Sequence, residues 1–299
     1  MRFDHLPRSG NIQDRRGRQM RRGGLGLGTV IVLSLIGWAL GIDPAALISG
    51  AEMMTNGRPS SSSFNTGPGD TGPGESMDMP SDRMGEFVSA VLGSTEAQWT
   101  HMFAEADAHY RPPTLVMFSG MTSSACGVAQ SAMGPFYCPN DQSIYLDTSF
   151  FEDLQRRFDA CAPGEACQFS QAYVIAHEVG HHVQNLLGIL PRVQELQQSV
   201  GRGEANRLQV LVELQADCLA GLWAHYSQQR WQFLEPGDVE AALRTASAIG
   251  DDRLQRRTQG YVVPDAFTHG SSEQRMRWFS AGLRSGNFAS CDTFNAGSP

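Results

Sequence analysis

Residues 170–189 read SQAYVIAHEVGHHVQNLLGI, and the spacing of apolar residues in this stretch predicts a long buried helix. Ser170 is a suitable N-cap for this helix. Within it, His177, Glu178 and His181 form an HExxH motif. Histidines four residues apart lie only about 40° apart around a helix axis, so both imidazoles can bind one metal ion. Glu178 projects nearby, where its carboxylate can take a proton from a water molecule at the metal and so act as the catalytic base.

The HExxH motif also has a less specific interpretation. A pattern with three fixed residues in five recurs by chance, so it also fits a helix with two ordinary histidines and a solvated glutamate. The surrounding sequence favours a metal site, because the preceding AYVIA segment is apolar and Gly180 leaves one face open for close approach. His182 points about 100° away from His181 around the helix, and we expect a structural role for it.

A catalytic zinc ion takes three protein ligands and keeps one position open for water. Residues 206–229 (NRLQVLVELQADCLAGLWAHYSQQ) predict a second helix, on which Glu213 and Asp217 face the same way. Apolar residues surround Glu213, and a buried carboxylate without a partner is costly, so Glu213 is the expected third ligand of one Zn²⁺ ion. Asp217 is expected to accept a hydrogen bond from the outer nitrogen of a ligand histidine. The alternative for Glu213 is a surface position or an ion pair with Arg207.

Residues 268–275 (THGSSEQR) form a further polar cluster. His269 lies in a loop before a predicted helix and is our candidate for stabilising a tetrahedral oxyanion. A histidine in a loop is often only a surface group, and that alternative stays open. Arg275 is expected to bind the substrate backbone or to pair with an acid, and Tyr261 is a weaker candidate donor.

The pattern of the remaining residues predicts an α+β domain that is mainly helical, with a small sheet. Apolar residues compatible with β structure indicate strands at 114–120 and 143–149. The other helices are expected at 81–106, 150–158, 237–255 and 273–284.

The N-terminal part of the chain differs in composition from the rest. Residues 1–24 carry seven arginines against two aspartates, and we expect them to form a cytoplasmic tail. Residues 25–42 (LGLGTVIVLSLIGWALGI) carry no charge and as a helix would span roughly 27 Å, which predicts a single transmembrane helix. A cleaved signal peptide is the alternative. Residues 43–80 are rich in Gly, Ser and Pro and indicate a flexible linker, which leaves residues 81–299 as the catalytic domain.

Net charge and cysteine content limit the partners and the compartment. The formal net charge of −8 argues against nucleic acid as a partner. An even number of cysteines, six, behind an export signal favours disulfide bonds, although unrelated buried thiols would be expected in a cytosolic protein. Short loops favour a Cys126–Cys138 bond and a Cys161–Cys167 bond. Cys218 and Cys291 then either pair or stay free.

Several blocks of the sequence together resemble the YpfJ-type neutral zinc metallopeptidases of bacteria. These blocks are NIQDRRG (11–17), SACGVAQSAMGPFYCPNDQSIYLD (124–147), AYVIAHEVGHHVQNLLGI (172–189), ELQADCLAGLWAHY (213–226), ASAIGDDRLQ (246–255) and FTHGSSEQRMRWF (267–279). The resemblance covers nearly the whole chain except the linker. It implies a zinc-dependent, zincin-like peptidase domain on the extracytoplasmic or periplasmic side of the bacterial inner membrane, with HExxH ligands and a membrane anchor.

A more distant similarity bears on the roles of individual residues. The HtpX-like and CAAX-processing zinc proteases combine HExxH with a downstream E-x-x-x-D and a Thr-His-Pro…Arg segment. Glu213 and Asp217 resemble the first, and His269 and Arg275 resemble the second, with Gly270 in place of proline. The likeness strengthens the expectation that His269 stabilises the oxyanion. Those proteases have several membrane spans, so their substrates are not transferred to this chain.

Two functions fit these observations. The first is a membrane-anchored endopeptidase that cleaves peptide or protein substrates with a zinc-activated water and Glu178 as the base. The second is a catalytically inactive scaffold or binding protein that zinc stabilises. Glu178 favours the enzyme, because a structural zinc site needs no base and fills its fourth position with a protein ligand.

Overall fold

The computed structural model describes residues 1–17, 80–156 and 167–296. The predicted transmembrane helix at 25–42 and almost all of the predicted linker lie outside these ranges. Within the part that is described, no helix is both long and apolar enough to cross a bilayer. These three ranges belong to one compact unit.

The unit is mainly helical with a small sheet, as predicted. In chain order, its helices are α1 (Arg83–Glu105), α2 (Ser149–Arg156), α3 (Gln168–Leu186), α4 (Ile189–Ser199), α5 (Arg202–Trp231), α6 (Asp238–Ala248), α7 (Asp251–Gln259) and α8 (Ser272–Ser285). Its strands are β1 (Ile12–Asp14), β2 (Thr114–Phe118), β3 (Met121–Ser124), β4 (Gly127–Gln130), β5 (Phe136–Cys138) and β6 (Ser143–Asp147).

The main sheet has the strand order β1-β2-β6-β5. β1 and β6 both run parallel to β2, whereas β5 is antiparallel to β6. The two predicted strands, at 114–120 and 143–149, are β2 and β6 at the centre of this sheet. β3 and β4 form a separate antiparallel hairpin.

Residues 1–17 are part of the domain, whereas the sequence placed them in a separate tail. Ile12 is fully buried and pairs with Leu115 of β2. The ring of Phe3 packs edge-on against Phe87 of α1, with 5.4 Å between the ring centroids. These long-range contacts bring the N-terminal residues onto the domain despite their arginine-rich composition.

Close packing of helices places the site. α5 packs against both α3 and α8. At Gly180 of α3, an added Cβ would lie 3.1 Å from the backbone of Ala216 on α5. At Gly282 of α8, an added Cβ would lie 2.0 Å from the carbonyl oxygen of Cys218 on α5. A side chain at Gly282 would therefore overlap backbone, whereas at Gly180 it would fit only if α5 moved away slightly.

Two helix predictions differ from the structure. The helix predicted over 237–255 is two helices, α6 and α7, separated around Gly250. An added Cβ at Gly250 would lie 2.5 Å from the backbone nitrogen of Ser272, so tertiary contact with the start of α8 fixes the break. α4 was not predicted, because the chain turns at Gly188 in a left-handed conformation and Pro191 then falls in the first turn of α4.

Disulfide bonds cross-link distant elements. The predicted bond between Cys126 and Cys138 is present and ties the tip of the β3–β4 hairpin to β5. Cys218 and Cys291, which the sequence left open, also form a bond, and it joins α5 to the C-terminal segment. Cys167 is disulfide-bonded, but Cys161 lies outside the described residues, so that pairing stays a prediction.

The tight α5–α8 contact makes a stability prediction. Gly282→Ala should lower the free energy of unfolding by about 1–3 kcal/mol or more, because its new Cβ overlaps backbone. Gly203→Ala is the matched control, since Gly203 lies in the first turn of α5 with open space around it. That variant should be neutral or up to about 1 kcal/mol more stable. Thermal unfolding of both variants checks this, and equal melting temperatures would contradict the described packing.

Candidate metal centre

Three side chains from two helices converge at the middle of the domain. His177 and His181 lie on α3 and Glu213 on α5, and one ligand atom from each lies within 4.8 Å of the others. The Nε2 atom of His177 is 3.3 Å from Glu213 Oε2, and the Nε2 atom of His181 is 3.6 Å from Glu213 Oε1. Two imidazoles and one carboxylate form a donor set that suits a catalytic zinc ion with one open position.

The sequence predicted this cluster because the two histidines on α3 are four residues apart, as are Glu213 and Asp217 on α5. Each pair therefore lies on one face of its helix. Gly180 lets α5 approach α3 closely, so that Glu213 reaches the two histidines. His177 and Glu213 are buried, and His181 is slightly exposed. The alternative ion pair between Glu213 and Arg207 does not form, because Arg207 instead bonds to Glu204 at the surface.

Asp217 contacts His177 directly. Its Oδ1 atom lies 2.9 Å from Nδ1 of His177 and also accepts a hydrogen bond from the hydroxyl of Tyr173. An acceptor at Nδ1 fixes the tautomer that leaves Nε2 available for a metal. Burial lowers the pKa of His177, but the carboxylates of Asp217 and Glu213 outweigh burial and raise that pKa to about 10. The two carboxylates therefore favour a positive charge at or beside the His177 ring.

His181 has its own partner, which the sequence analysis missed. Nδ1 of His181 lies 2.9 Å from Oε1 of Gln184. The Gln184 amide donates to the carbonyl of Val212 and to Gln215, so the side chain is held from α5. The contact could have been predicted from the sequence, since Gln184 follows His181 by three residues and lies on the same helix face.

Glu178 lies beside this cluster and lines the cleft. Its side chain is buried, and burial raises the pKa of its carboxyl group, although the neighbouring His181 and His177 oppose that effect. A carboxylate with a raised pKa is better suited to accept a proton and to release it again near neutral pH. The position and environment of Glu178 therefore fit a general base.

The centre opens into a cleft with a volume of about 600 Å³. Pro135, Phe136 and Phe150 contribute apolar surface near the sheet, and Leu190 and Val193 contribute it from α4. Among the described residues that line the cleft, the acidic and basic side chains are those of the metal centre, Glu178, His269 and Arg275. A concave, mostly apolar surface around a few polar groups is typical of a substrate site.

His269 also lines the cleft, with its side chain half-exposed. Its Nδ1 atom lies 3.2 Å from Oδ1 of Asp251, which opens α7. This hydrogen bond raises the pKa of His269, with a smaller contribution from the charge of Glu213. Asp251 was not singled out from the sequence, because it falls inside the helix predicted over 237–255 and nothing local links it to residue 269.

Arg275 takes the second of its two expected roles, and Tyr261 lies away from the cleft. Arg275 is buried, and its guanidinium bonds to both oxygens of Asp217, at 2.8 and 3.0 Å. It therefore pairs with an acid and holds Asp217 in place, instead of binding substrate or an oxyanion. Tyr261 is 62% exposed and is not among the residues that line the cleft.

His182 has the structural role that was expected. It is buried outside the cluster, with Nε2 2.6 Å from the carbonyl oxygen of Arg111 and Nδ1 3.0 Å from the hydroxyl of Tyr137. Burial lowers the pKa of His182 to about 4, so the ring stays neutral. These bonds join α3 to the segment before β2 and to β5.

Comparison with known proteins assigns the family. A family model described as "Putative neutral zinc metallopeptidase" matches residues 1–294. The chain belongs to this family. The matched region includes the complete cluster, Glu178 and His269.

Two relatives illustrate the similarity. The chain is 44% identical to the uncharacterized protein YpfJ of Escherichia coli (strain K12) over 305 aligned positions, which cover 98% of this chain and 99% of the relative. It is 42% identical to the uncharacterized protein Rv2575 of Mycobacterium tuberculosis over 219 positions, 70% of each chain. No solved structure matches the chain significantly.

The geometry predicts the metal content of variants. Wild-type protein should bind one zinc ion, and His181→Ala should lose most of it because one of three ligands is removed. His269→Ala is the matched control, since His269 lines the same cleft but lies outside the cluster. Metal analysis after dialysis checks this. Full zinc occupancy in His181→Ala would refute the assignment.

Proposed function

We propose that this chain is a zinc-dependent peptidase that hydrolyses peptide bonds, with endopeptidase action expected from its open cleft. The observation that carries the proposal is the juxtaposition of the His177, His181 and Glu213 cluster with the buried carboxylate of Glu178 at the same cleft. A structural zinc site has no use for a base at this position. Membership of a zinc metallopeptidase family agrees with this function.

The proposed roles follow from the contacts of each residue. His177, His181 and Glu213 hold the zinc ion, with Asp217 and Gln184 keeping the two imidazoles in place. When bound, zinc acidifies a water molecule and polarises the peptide carbonyl. Glu178 accepts the proton from the attacking water at its carboxylate and passes it to the leaving amine.

His269 is the proposed stabiliser of the oxyanion. It is the basic side chain in the cleft that is half-exposed and outside the metal cluster, whereas Arg275 is buried against Asp217. A protonated imidazole aimed at the developing negative charge stabilises the transition state more than the substrate. The cleft is otherwise uncharged, which suits a peptide segment with apolar side chains.

Replacement of the base separates catalysis from zinc binding. Glu178→Gln should keep its zinc and lose on the order of 100- to 10,000-fold in turnover, because an amide cannot accept the proton. Glu204→Gln is the matched control, since Glu204 is exposed and pairs with Arg207. Cleavage of a quenched-fluorescence peptide library, with zinc measured in parallel, checks this. An undiminished rate in Glu178→Gln would refute Glu178 as the base, whereas the absence of cleavage by wild-type protein would favour the inactive scaffold.

We also propose that the metal centre works on the extracytoplasmic side of the bacterial inner membrane, attached through the apolar segment 25–42. The two disulfide bonds, Cys126–Cys138 and Cys218–Cys291, support an oxidising compartment. One part of the expected topology changes. Because β1 hydrogen-bonds to β2 within one sheet, residues 1–17 are proposed to share the compartment of the metal centre instead of staying in the cytoplasm. A single crossing by segment 25–42 would separate the two, so this proposal replaces the expected single-pass topology with attachment that keeps both ends of the segment on one side of the membrane.

Cysteine labelling in cells tests this arrangement. Gly10 and Gly203 both have open space around them, so Gly10→Cys and Gly203→Cys should leave the fold intact. A membrane-impermeant maleimide should label both positions in intact cells with a permeabilised outer membrane. Labelling of Gly203→Cys alone would mean a single crossing and would refute the shared compartment. Labelling of neither position would place both in the cytoplasm and refute the extracytoplasmic site.

A further inference from the structure

The loop that carries His269 is held by one carboxylate. Oδ2 of Asp251 accepts hydrogen bonds from the backbone N–H groups of Thr268, His269 and Gly270, at 2.7, 2.6 and 3.1 Å. The N–H of Asp251 itself donates to the carbonyl of Gly270 at 2.9 Å. Asp251 is only 8% exposed, so water competes little for these bonds. Residues 268–270 are therefore fixed to the start of α7.

The other oxygen of the same carboxylate acts on the His269 side chain. Oδ1 of Asp251 lies 3.2 Å from Nδ1 of His269. Burial raises the pKa of Asp251, but its bonds from the His269 ring and from the backbone outweigh burial and lower that pKa, so the group is ionised. An ionised carboxylate only accepts hydrogen bonds, so Nδ1 must carry the proton.

The position of this proton determines which nitrogen of His269 is available to a substrate in the cleft. With Nδ1 engaged by Asp251, Nε2 is the nitrogen that remains for the substrate. Three charged groups face the ring: Asp251 and Glu213 favour the protonated form, and Arg275 disfavours it. The hydroxyl of Thr268, 3.1 Å from Nδ1, can accept from the same proton.

We propose that Asp251 is a positioning residue, which holds the His269 imidazole with Nδ1 protonated and Nε2 directed to the substrate. The catalytic part of this inference rests on the proposed function, because Asp251 affects the reaction only through His269. The contact geometry does not depend on that function. A carboxylate that orients a histidine in this way is worth a large factor in rate when the histidine acts on the transition state.

The chain offers a matched control one residue along. Oδ1 of Asp252 accepts hydrogen bonds from the backbone N–H and the hydroxyl of Ser272, at 2.7 and 2.8 Å. Asp252 thus fastens the start of α8 to the start of α7, and its bonds go to Ser272 and not to the imidazole. Asp251→Asn and Asp252→Asn therefore make the same chemical change and differ in whether His269 loses its partner.

A double-mutant cycle on the full-length zinc-loaded protein measures the coupling. Asp251→Asn should lower kcat on the order of 10- to 100-fold with little change in KM, whereas Asp252→Asn should stay near wild type. In a His269→Ala background, Asp251→Asn should add little further loss, because residues in one network are not additive. An equal loss in both backgrounds would mean that Asp251 only stabilises the loop, and would overturn the inference.

Nitrogen NMR gives a readout that needs no turnover. In ¹⁵N-histidine-labelled protein, the His269 signals, identified by their absence in His269→Ala, should show a proton at Nδ1. That state should be lost or weakened in Asp251→Asn and kept in Asp252→Asn. A proton on Nε2 alone in wild type would overturn the inference. If the NMR result is as expected but wild-type protein cleaves no peptide, the proposed function fails while the positioning by Asp251 stands.

Discussion

The fully buried carboxylate of Asp217 joins the three helices that build the site. It accepts hydrogen bonds from Tyr173 and His177 on α3 and from Arg275 on α8, while its own backbone lies in α5. Burial raises the pKa of Asp217, but Arg275 and His177 outweigh burial and lower that pKa to about 2. A buried charge is tolerated only with such partners, so the packing of the helices and the orientation of His177 depend on one group.

Much of the site could be predicted from local periodicity. The HExxH spacing and the four-residue separation of Glu213 and Asp217 each place two side chains on one helix face, which needs no tertiary information. Apolar neighbours then indicated that Glu213 points inward. The sequence could not show that Arg275 forms an ion pair with Asp217. No local pattern distinguishes an arginine that faces a substrate from one that faces a buried acid.

The missed features share a different cause. β1 has only three residues, and its pairing with β2 depends on chain far away in sequence, so no local pattern marks it as a strand. The break at Gly250 arises from contact with Ser272, and the role of Asp251 arises from the loop at 268–270. These features depend on tertiary contacts, which composition and periodicity do not encode. The resemblance of whole sequence blocks to a family supplied the outline that local patterns alone could not.

β1 also affects how the domain is assembled during synthesis. The strand leaves the ribosome first, but its partner β2 is made about a hundred residues later, a separation typical of slow, non-local pairing. At about 5–20 residues per second, β1 must remain unpaired for on the order of ten seconds. Until it docks, one edge of β2 is open, although Leu115, Val116 and Met117 are among the most buried residues in the finished domain. An unpaired apolar edge is a template for aggregation. The three residues of β1, Ile12–Asp14, therefore protect the edge of the nascent sheet. A chain that lacks β1 is therefore expected to aggregate during folding instead of forming a soluble but inactive protein.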